Sequence, residues 1–535
     1  MQGTPVFWRE NEILWDKDAI EIREGKHGLG IYAKKNLEAG FEAIQVPKSV
    51  VLSVVSTGIA NLLEDEDIEG YVGLTVACMY ELSRGSESLW SAYLSLLNNR
   101  RPQMASDLSA ESRELMKMSE VYGDIETDLK DMREDYDNIV VPFLEKHPET
   151  FTAEVKAQFF SFEDFKAMTA QVSSRAMDVD NYHVSALVPF ADFVNHNSEP
   201  NSDYLTHEDV CDVCGAITCE HLDEEDEDSE DDDEEVPDLS AEEAASAQKK
   251  RASKKAEDGD EDIETDDEND EDWEDEEIND TCDIILDDDV KKGEEITRHY
   301  GPFPNKIFLS KYGFAEIDNE NDTVTVQLDM IKKAAEGILG DAALVEERVQ
   351  WFLETEDQFI GEDDEDDEDS CCSGEHDHDH EHGHEHKHEK TEDDAEDIEK
   401  EDFPRDIMYM MHDGTVDDRM LMLLNVVFME REQFTKVKDD MEVATEYFND
   451  IFLRRALEED FADEIAEADS DDDEEKPQLK PLDETGHKTT AEEDLAALKK
   501  ANLSGPLYYG GVCVQGEKQI IENGLRVYGK FLAEL

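Results

Sequence analysis

Basic side chains are scarce in this sequence. Lys and Arg together number 49 against 143 Asp and Glu, a formal net charge of -94. That imbalance argues against DNA or RNA as a direct ligand, because phosphate binding depends on Lys and Arg displacing counterions. It favours a basic protein partner, such as a histone, a ribosomal protein or a translation factor, drawn by an attraction that salt weakens. Acidic stretches also serve simply to keep a chain soluble. Long apolar runs are absent: no stretch approaches the roughly twenty residues a membrane helix needs, so no membrane partner is expected. The opening Met1-Gln-Gly-Thr-Pro-Val-Phe-Trp has neither the basic nor the apolar region of a secretory leader. Cysteines number only 8, too few and too clustered for a disulfide framework, which fits a reducing compartment. A soluble monomer of the nucleus and/or cytoplasm is the expectation.

At 535 residues the chain has room for two or three domains. From Trp8 to Pro47 it reads as short strands: Ile20-Glu-Ile-Arg alternates, and Gly25-Lys-His-Gly-Leu-Gly-Ile holds three glycines able to bring backbone close to a ligand. From Ile59 to about Ser185 apolar residues recur at helical spacing, as in Tyr71-Val-Gly-Leu-Thr-Val-Ala-Cys-Met-Tyr-Glu-Leu. An apolar run beginning at Ala186 then delivers Asn195-His196. After an acidic tract, Cys282-Asp-Ile-Ile-Leu resumes strand character, and a Gly293-Glu-Glu-Ile turn leads to Tyr300-Gly301 and Lys311-Tyr-Gly-Phe. Residues 318–326 alternate like a further strand, 331–359 read as helical, and 403–535 as a mostly helical domain with Met408, Met411 and Met420 on an apolar face.

Charged inserts interrupt this foldable sequence. The tract 222–280 and the stretches 361–402 and about 465–490 are too acidic and too poor in apolar residues to build a core, and are expected to be disordered. Lys249-Lys-Arg-Ala-Ser-Lys-Lys inside the first reads either as a nuclear import signal or as a local counter-charge. Histidines alternating from His376 to His388 would hold metals loosely. Just before the first tract stand Cys211, Cys214, Cys219 and His221. Four such donors suit a tetrahedral structural zinc, with Cys282 able to replace one of them; free cysteines in a loop are the alternative.

The order of these parts resembles SET-domain protein-lysine methyltransferases of the Rubisco large-subunit methyltransferase and fungal ribosomal-protein lysine methyltransferase class. The resemblance covers essentially the whole chain apart from the acidic inserts. It is carried by Gly28-Leu29-Gly30, Ser174-Arg175-Ala176-Met177, Asn195-His196, Tyr300-Gly301 and Tyr312-Gly-Phe314. It implies an α+β fold with a β-rich SET core containing a pseudoknot, a helical insert and a helical C-terminal substrate-binding domain. The implied division is 1–330, with the insert at about 51–185, and 331–535. It implies S-adenosylmethionine (AdoMet) as cofactor, held by His27, Gly28, Leu29, Gly30, Arg175, Asn195, His196 and Tyr300. Tyr300 is implied as the catalytic residue, and Arg175, Tyr312 and Phe314 as substrate contacts. Met177 replaces the family's usual Phe, Lys311 its usual Asp, and His299 stands where Ser or Thr is common. These departures bear on substrate choice and methylation degree more than on catalysis.

Those residue types suit methyl transfer. The reaction needs an in-line approach of a neutral amine to a sulfonium methyl, so positioning carries most of the catalysis. Aromatic walls accept a lysine stem and its cationic head, and a tyrosine oxygen with backbone carbonyls can orient amine and methyl. The expected acceptor is a lysine of a ribosomal protein. Rival readings are the same fold acting on elongation factor, histone or a protein histidine, and an inactive acidic module that binds or chaperones basic proteins. Singly, each residue has a duller role: a capping Asn, a core His, core tyrosines, an arginine paired with some carboxylate.

Overall fold

The computed structural model describes residues 13–25, 28–98, 101–117, 119–219, 221, 280–359, 406–468, 489–501 and 503–534. His27, the acidic residues 222–279 with Lys249 to Lys255, the insert 361–402 with its histidines, and 469–488 lie outside the described residues. Two units alternate along the chain, the first formed by Met1–Asn99, Thr152–Ser161 and Arg175–Arg298, the second by Arg100–Phe151, Phe162–Ser174 and His299–Leu535.

The first unit is built from short strands: β1 (Ile20–Gly25), β2 (Gly28–Ala33), β3 (Glu42–Pro47), β4 (Ala176–Asp180), β5 (Val184–Leu187), β6 (Asn195–His196), β7 (Ser202–Thr206), β8 (Thr281–Leu286) and β9 (Glu295–Arg298). They form a four-stranded sheet in the order β1-β2-β9-β6, a three-stranded sheet β3-β8-β7 and the hairpin β4-β5. Strand β8 shows why the sequence folds this way: Cys282, Ile284 and Leu286 are buried while their neighbours are half-buried, the period-two pattern of a strand packed on one face. The helix Gly70–Ser83 buries Leu74, Val76, Ala77, Cys78 and Met79 in succession, as a helix enclosed on most sides must. The apolar run after Ala186 is buried from Ala186 to Val194 and is core throughout.

Helical character ends earlier than the expected boundary near 185, because Ala176–Asp180 and Val184–Leu187 are paired strands. Alternating burial at Met177 and Val179 favours a strand there, and helical periodicity has already stopped.

The second unit is mostly helical. Ala342–Thr355, Asp418–Phe428, Arg431–Asp439 and Met441–Ala468 pack around Phe352, Met422, Leu423, Val426, Val427 and Phe448. A smaller core joins Met116, Val121, Ile125, Leu309, Val512 and Cys513. One correction concerns Met408 and Met411. They belong to β11 (Ile407–Met411), antiparallel to β10 (Thr323–Gln327), and not to a helical face. Methionine fits helices well in isolation, but here Met408 is buried while Tyr409 is exposed, and tertiary pairing overrides propensity. The helix Met441–Ala468 also runs past the start of the break expected near 465.

Candidate functional site

Three features of the first unit converge on the β1-β2 hairpin. Strand β2 pairs with β9 only at Ile31 and Tyr32, so among the described residues no strand lies along the edge of 28–30 that faces away from β1. Asn195 fills part of that edge. Its Nδ2 donates to the Leu29 carbonyl at 3.1 Å and to Glu295 Oε1 at 2.7 Å. Glu295 in turn accepts from the Tyr32 hydroxyl at 2.6 Å. Burial and that carboxylate push the Tyr32 phenol up to about 12, so it stays a donor. A Cβ at Gly30 would lie 2.1 Å from Glu295 Oε1 and 2.8 Å from Asn195 Nδ2; only glycine lets these side chains approach. Gly28 has φ +101 and no atom within 4 Å of where its Cβ would stand.

Strands β6 and β9 lie side by side. Strand β6 runs parallel to β9, with Asn195 opposite Thr297 and His196 opposite Arg298. The loop that follows is tied to the same strand. Asn201 donates Nδ2 to the Glu295 carbonyl at 2.9 Å and accepts from the Thr297 amide at 3.0 Å, while Ser202 Oγ donates to the Thr297 carbonyl at 2.9 Å. This crossing needs residues about a hundred positions apart in the chain, which no local pattern encodes.

Three residues before Asn195, Asp192 anchors a buried polar group. Arg175 Nη1 donates to Asp192 Oδ2 and to the Asp192 carbonyl, both at 3.0 Å, and the Tyr93 hydroxyl donates to the same carboxylate at 2.9 Å. The Asp192 side chain is wholly buried. Burial raises its carboxyl above the ordinary range, against the pull of Arg175 and Tyr93. Phe190, two residues earlier, turns the chain with φ +86, a conformation a bulky residue adopts only when its surroundings hold it there. Its ring packs edge-on against Trp15 at 5.2 Å.

In the second unit, Tyr300, Tyr312 and Phe314 belong to one aromatic group. Tyr300 and Tyr312 have ring centroids 4.9 Å apart, Phe308 stacks on Phe314 at 5.0 Å, and Tyr312 lies 6.2 Å from Phe314. Gly313, φ +80, closes the turn at 308–312, and a Cβ there would meet the Gln103 carbonyl at 2.6 Å. Gly301, φ +125, likewise has no room for a Cβ beside the Phe303 ring.

The Cys211, Cys214, Cys219 and His221 donor atoms all lie within 4.8 Å of one another, and this group could hold a metal ion. Cys282 is not among them. Its thiol is buried on β8, 3.9 Å from Thr206 Oγ1, because the inward register of β8 turns it into the core.

The fold matches solved structures of the SET domain of LSMT bound to lysine and AdoHcy, with TM-score 0.56 at 15% identity over 100% of this chain and 91% of that one. Rubisco LSMT bound to AdoMet matches with TM-score 0.55 at 14% identity, over 100% and 92%. By sequence the chain is 28% identical over 393 residues to ribosomal lysine N-methyltransferase 3 of Saccharomyces cerevisiae, covering 66% of this chain and 69% of that protein. These likenesses support a SET-domain lysine methyltransferase. The chain is also 29% identical over 192 residues to the N-lysine methyltransferase SETD6 of Homo sapiens, and 26% over 221 residues to setd6 of Danio rerio. Those matches span 39% and 46% of the respective relatives. No family model matches the sequence.

Within the SET core, the residues present fit AdoMet. By strand geometry the Leu29 amide faces the same way as its carbonyl, away from β1, and is a main-chain donor a ligand could meet. The buried Asp192 Oδ1 has no hydrogen-bond partner among the described residues. Residue reasoning missed Glu295, Asp192, Tyr93 and Asn201. Glu295 was legible only as part of a Gly-Glu-Glu-Ile turn and Asp192 only as the polar interruption of an apolar run; nothing local marks Tyr93 or Asn201.

Proposed function

We propose that this methyltransferase uses AdoMet to methylate the ε-amine of a lysine in a ribosomal protein. The observation that carries the reading is the joining of Asn195-His196 to β9 with the Asn195 side chain bonded to Leu29 of the glycine hairpin. The ribosomal target is supported by the name of the yeast relative and by the charge of -94, which attracts basic proteins.

In this reading Gly28, Leu29 and Gly30 hold the cofactor through their backbone, Asn195 and His196 meet its other end, and Arg175 braces this wall through Asp192. AdoMet supplies an electrophilic sulfonium methyl. Tyr300 orients the acceptor amine, and Tyr312 and Phe314 enclose the lysine stem, favouring its cationic head on entry. The ammonium gives its proton to solvent, because only the neutral amine has a lone pair to form the new N–C bond. These residues act by positioning. The enzyme is a monomer of nucleus and cytoplasm in this proposal, with Lys249 to Lys255 as the import signal.

Transfer of labelled methyl from AdoMet into a ribosome-rich lysate tests it. One dominant labelled ribosomal protein, lost with Tyr300→Phe and Asn195→Ala, is expected, with mass spectrometry placing the methyl on lysine. Label confined to elongation factor, histone or a histidine would overturn the target. A folded protein that transfers nothing would leave the acidic binding module as the better reading.

A further inference from the structure

Three thiols and an imidazole converge beside the β4-β5 hairpin for no reason the methyl-transfer site supplies. Cys211 Sγ and Cys219 Sγ each lie 3.6 Å from His221 Nδ1. A tetrahedral zinc with Zn–S near 2.3 Å and Zn–N near 2.05 Å has an S···N edge of about 3.6 Å. Thus the separation matches the edge of one coordination tetrahedron. None of the three thiols is joined in a disulfide among the described residues. The backbone is shaped for such a site: the Gly215 amide donates to the Cys211 carbonyl at 2.7 Å, and the Cys211 amide to the Ala216 carbonyl at 3.0 Å. This tight turn brings Cys211 and Cys214 together, and Gly215 takes φ +69 to make it.

We propose that Cys211, Cys214, Cys219 and His221 bind one Zn²⁺ as a closed structural site that staples the loop after β7 to the turn between β4 and β5. Four protein ligands leave no open position, so the ion takes no part in chemistry. The staple follows from what the turn touches. A Cβ at Gly215 would lie 2.6 Å from the Tyr182 ring, so the turn sits directly on that side chain. On the way out of β7, the Asn181 amide donates to the Glu208 carbonyl at 3.2 Å, and Thr206 Oγ1 to the Val179 carbonyl at 3.0 Å. Lys48, fully buried, joins the same place by pairing with Asp180 Oδ2 at 2.8 Å and donating to the His207 carbonyl.

The location explains the need. His221 is followed at once by the acidic stretch 222–279, whereas β5 leads within eight residues to Asn195. A cross-link there ties the chain entering the insertion to the β4-β5 turn. The proposed ligands are three cysteines and a histidine with no carboxylate, which selects zinc over calcium or magnesium.

The test uses the full chain, expressed without an affinity tag and passed through gel filtration in chelator. About one zinc per chain is expected, released stoichiometrically by a thiol-specific mercurial. Exchange with cobalt(II) is expected to give thiolate-to-cobalt charge-transfer absorption. That absorption is lost in Cys211→Ser and Cys219→Ser and kept when Cys371 and Cys372 are both serine, or when the histidines from His376 to His388 are asparagine. The thiolate band separates this site from loose histidine chelation. Hydrogen exchange at 180–184 is expected to rise when the wild-type metal is removed. No zinc in the wild-type chain, a band that survives Cys211→Ser, or unchanged exchange at 180–184 would each overturn the proposal. The wild-type measurements hold even where a cysteine variant fails to fold.

Discussion

Replacing Arg175 by methionine isolates the energetics of the buried polar group at Asp192. The substitution keeps most of the stem and removes the charge that faces a wholly buried Asp192 carboxylate at 3.0 Å. Breaking a buried pair from one side leaves an uncompensated charge and costs about 3–5 kcal/mol. At about 2–4 °C per kcal/mol for a unit of this size, the midpoint should fall by roughly 10 °C. The loss depends on pH. Burial already raises the Asp192 carboxyl, and Arg175 is the strongest influence holding it down. Without Arg175 the folded state keeps a proton that the unfolded chain releases near pH 4. Stability in Arg175→Met therefore falls as pH rises from the unfolded value toward the folded one, and the variant is least impaired in mild acid. Adding Asp192→Asn removes the stranded charge and should restore more than half the loss. Thermal unfolding of both variants and wild type across pH 5 to 8, with AdoMet binding by calorimetry, measures this. Restored stability with restored binding means Arg175 acts on the cofactor through Asp192; restored stability without binding means direct contact. A double variant no more stable than Arg175→Met, or a single-variant shift below about 2 °C, refutes the reasoning.

Gly30→Ala forces a methyl against Glu295 and Asn195 and breaks their 2.7 Å hydrogen bond. A loss of about 2–4 kcal/mol and weakened AdoMet binding are expected by denaturation and calorimetry, and wild-type values would refute the cradle. Gly28→Ala meets no atom and should cost only about 1 kcal/mol, from its positive φ. Glu517, whose carboxylate accepts from Ser119 Oγ at 2.5 Å, is pushed up to about 8 by burial and by Glu120. Its folded pKa lies above the unfolded value, so its contribution to stability is full below about pH 4.5 and is lost as pH rises through 8, with a slope of up to about 1.4 kcal/mol per pH unit. Glu517→Gln should flatten that slope in urea titrations; an unchanged slope would exclude this carboxyl as its source.

How far the sequence reached differs by element. Tyr300, Tyr312 and Phe314 were legible because an aromatic beside a glycine is a local signal, and the three do cluster. Asn195 was legible as a polar residue ending an apolar run, but its bonds to Leu29 and Glu295 were not. Met408 and Met411 misled because methionine carries little strand preference, and their partner lies more than eighty residues away in β10. Arg175 was placed against the cofactor from its motif, whereas its buried partner Asp192 follows from the turn at Phe190, a backbone conformation no composition announces.

By itself the sequence determined the net charge of -94, the period-two and helical patterns of most elements, and the glycines that leave room for close approach. Those depend on residue identity and short-range spacing. Tertiary structure alone decided that β6 lies parallel to β9, that Asn195 bridges the hairpin to Glu295, and that three thiols share an imidazole while Cys282 does not. Each of these depends on which distant segments share a sheet and in what register, and register shifts of one residue turn every side chain to the opposite face.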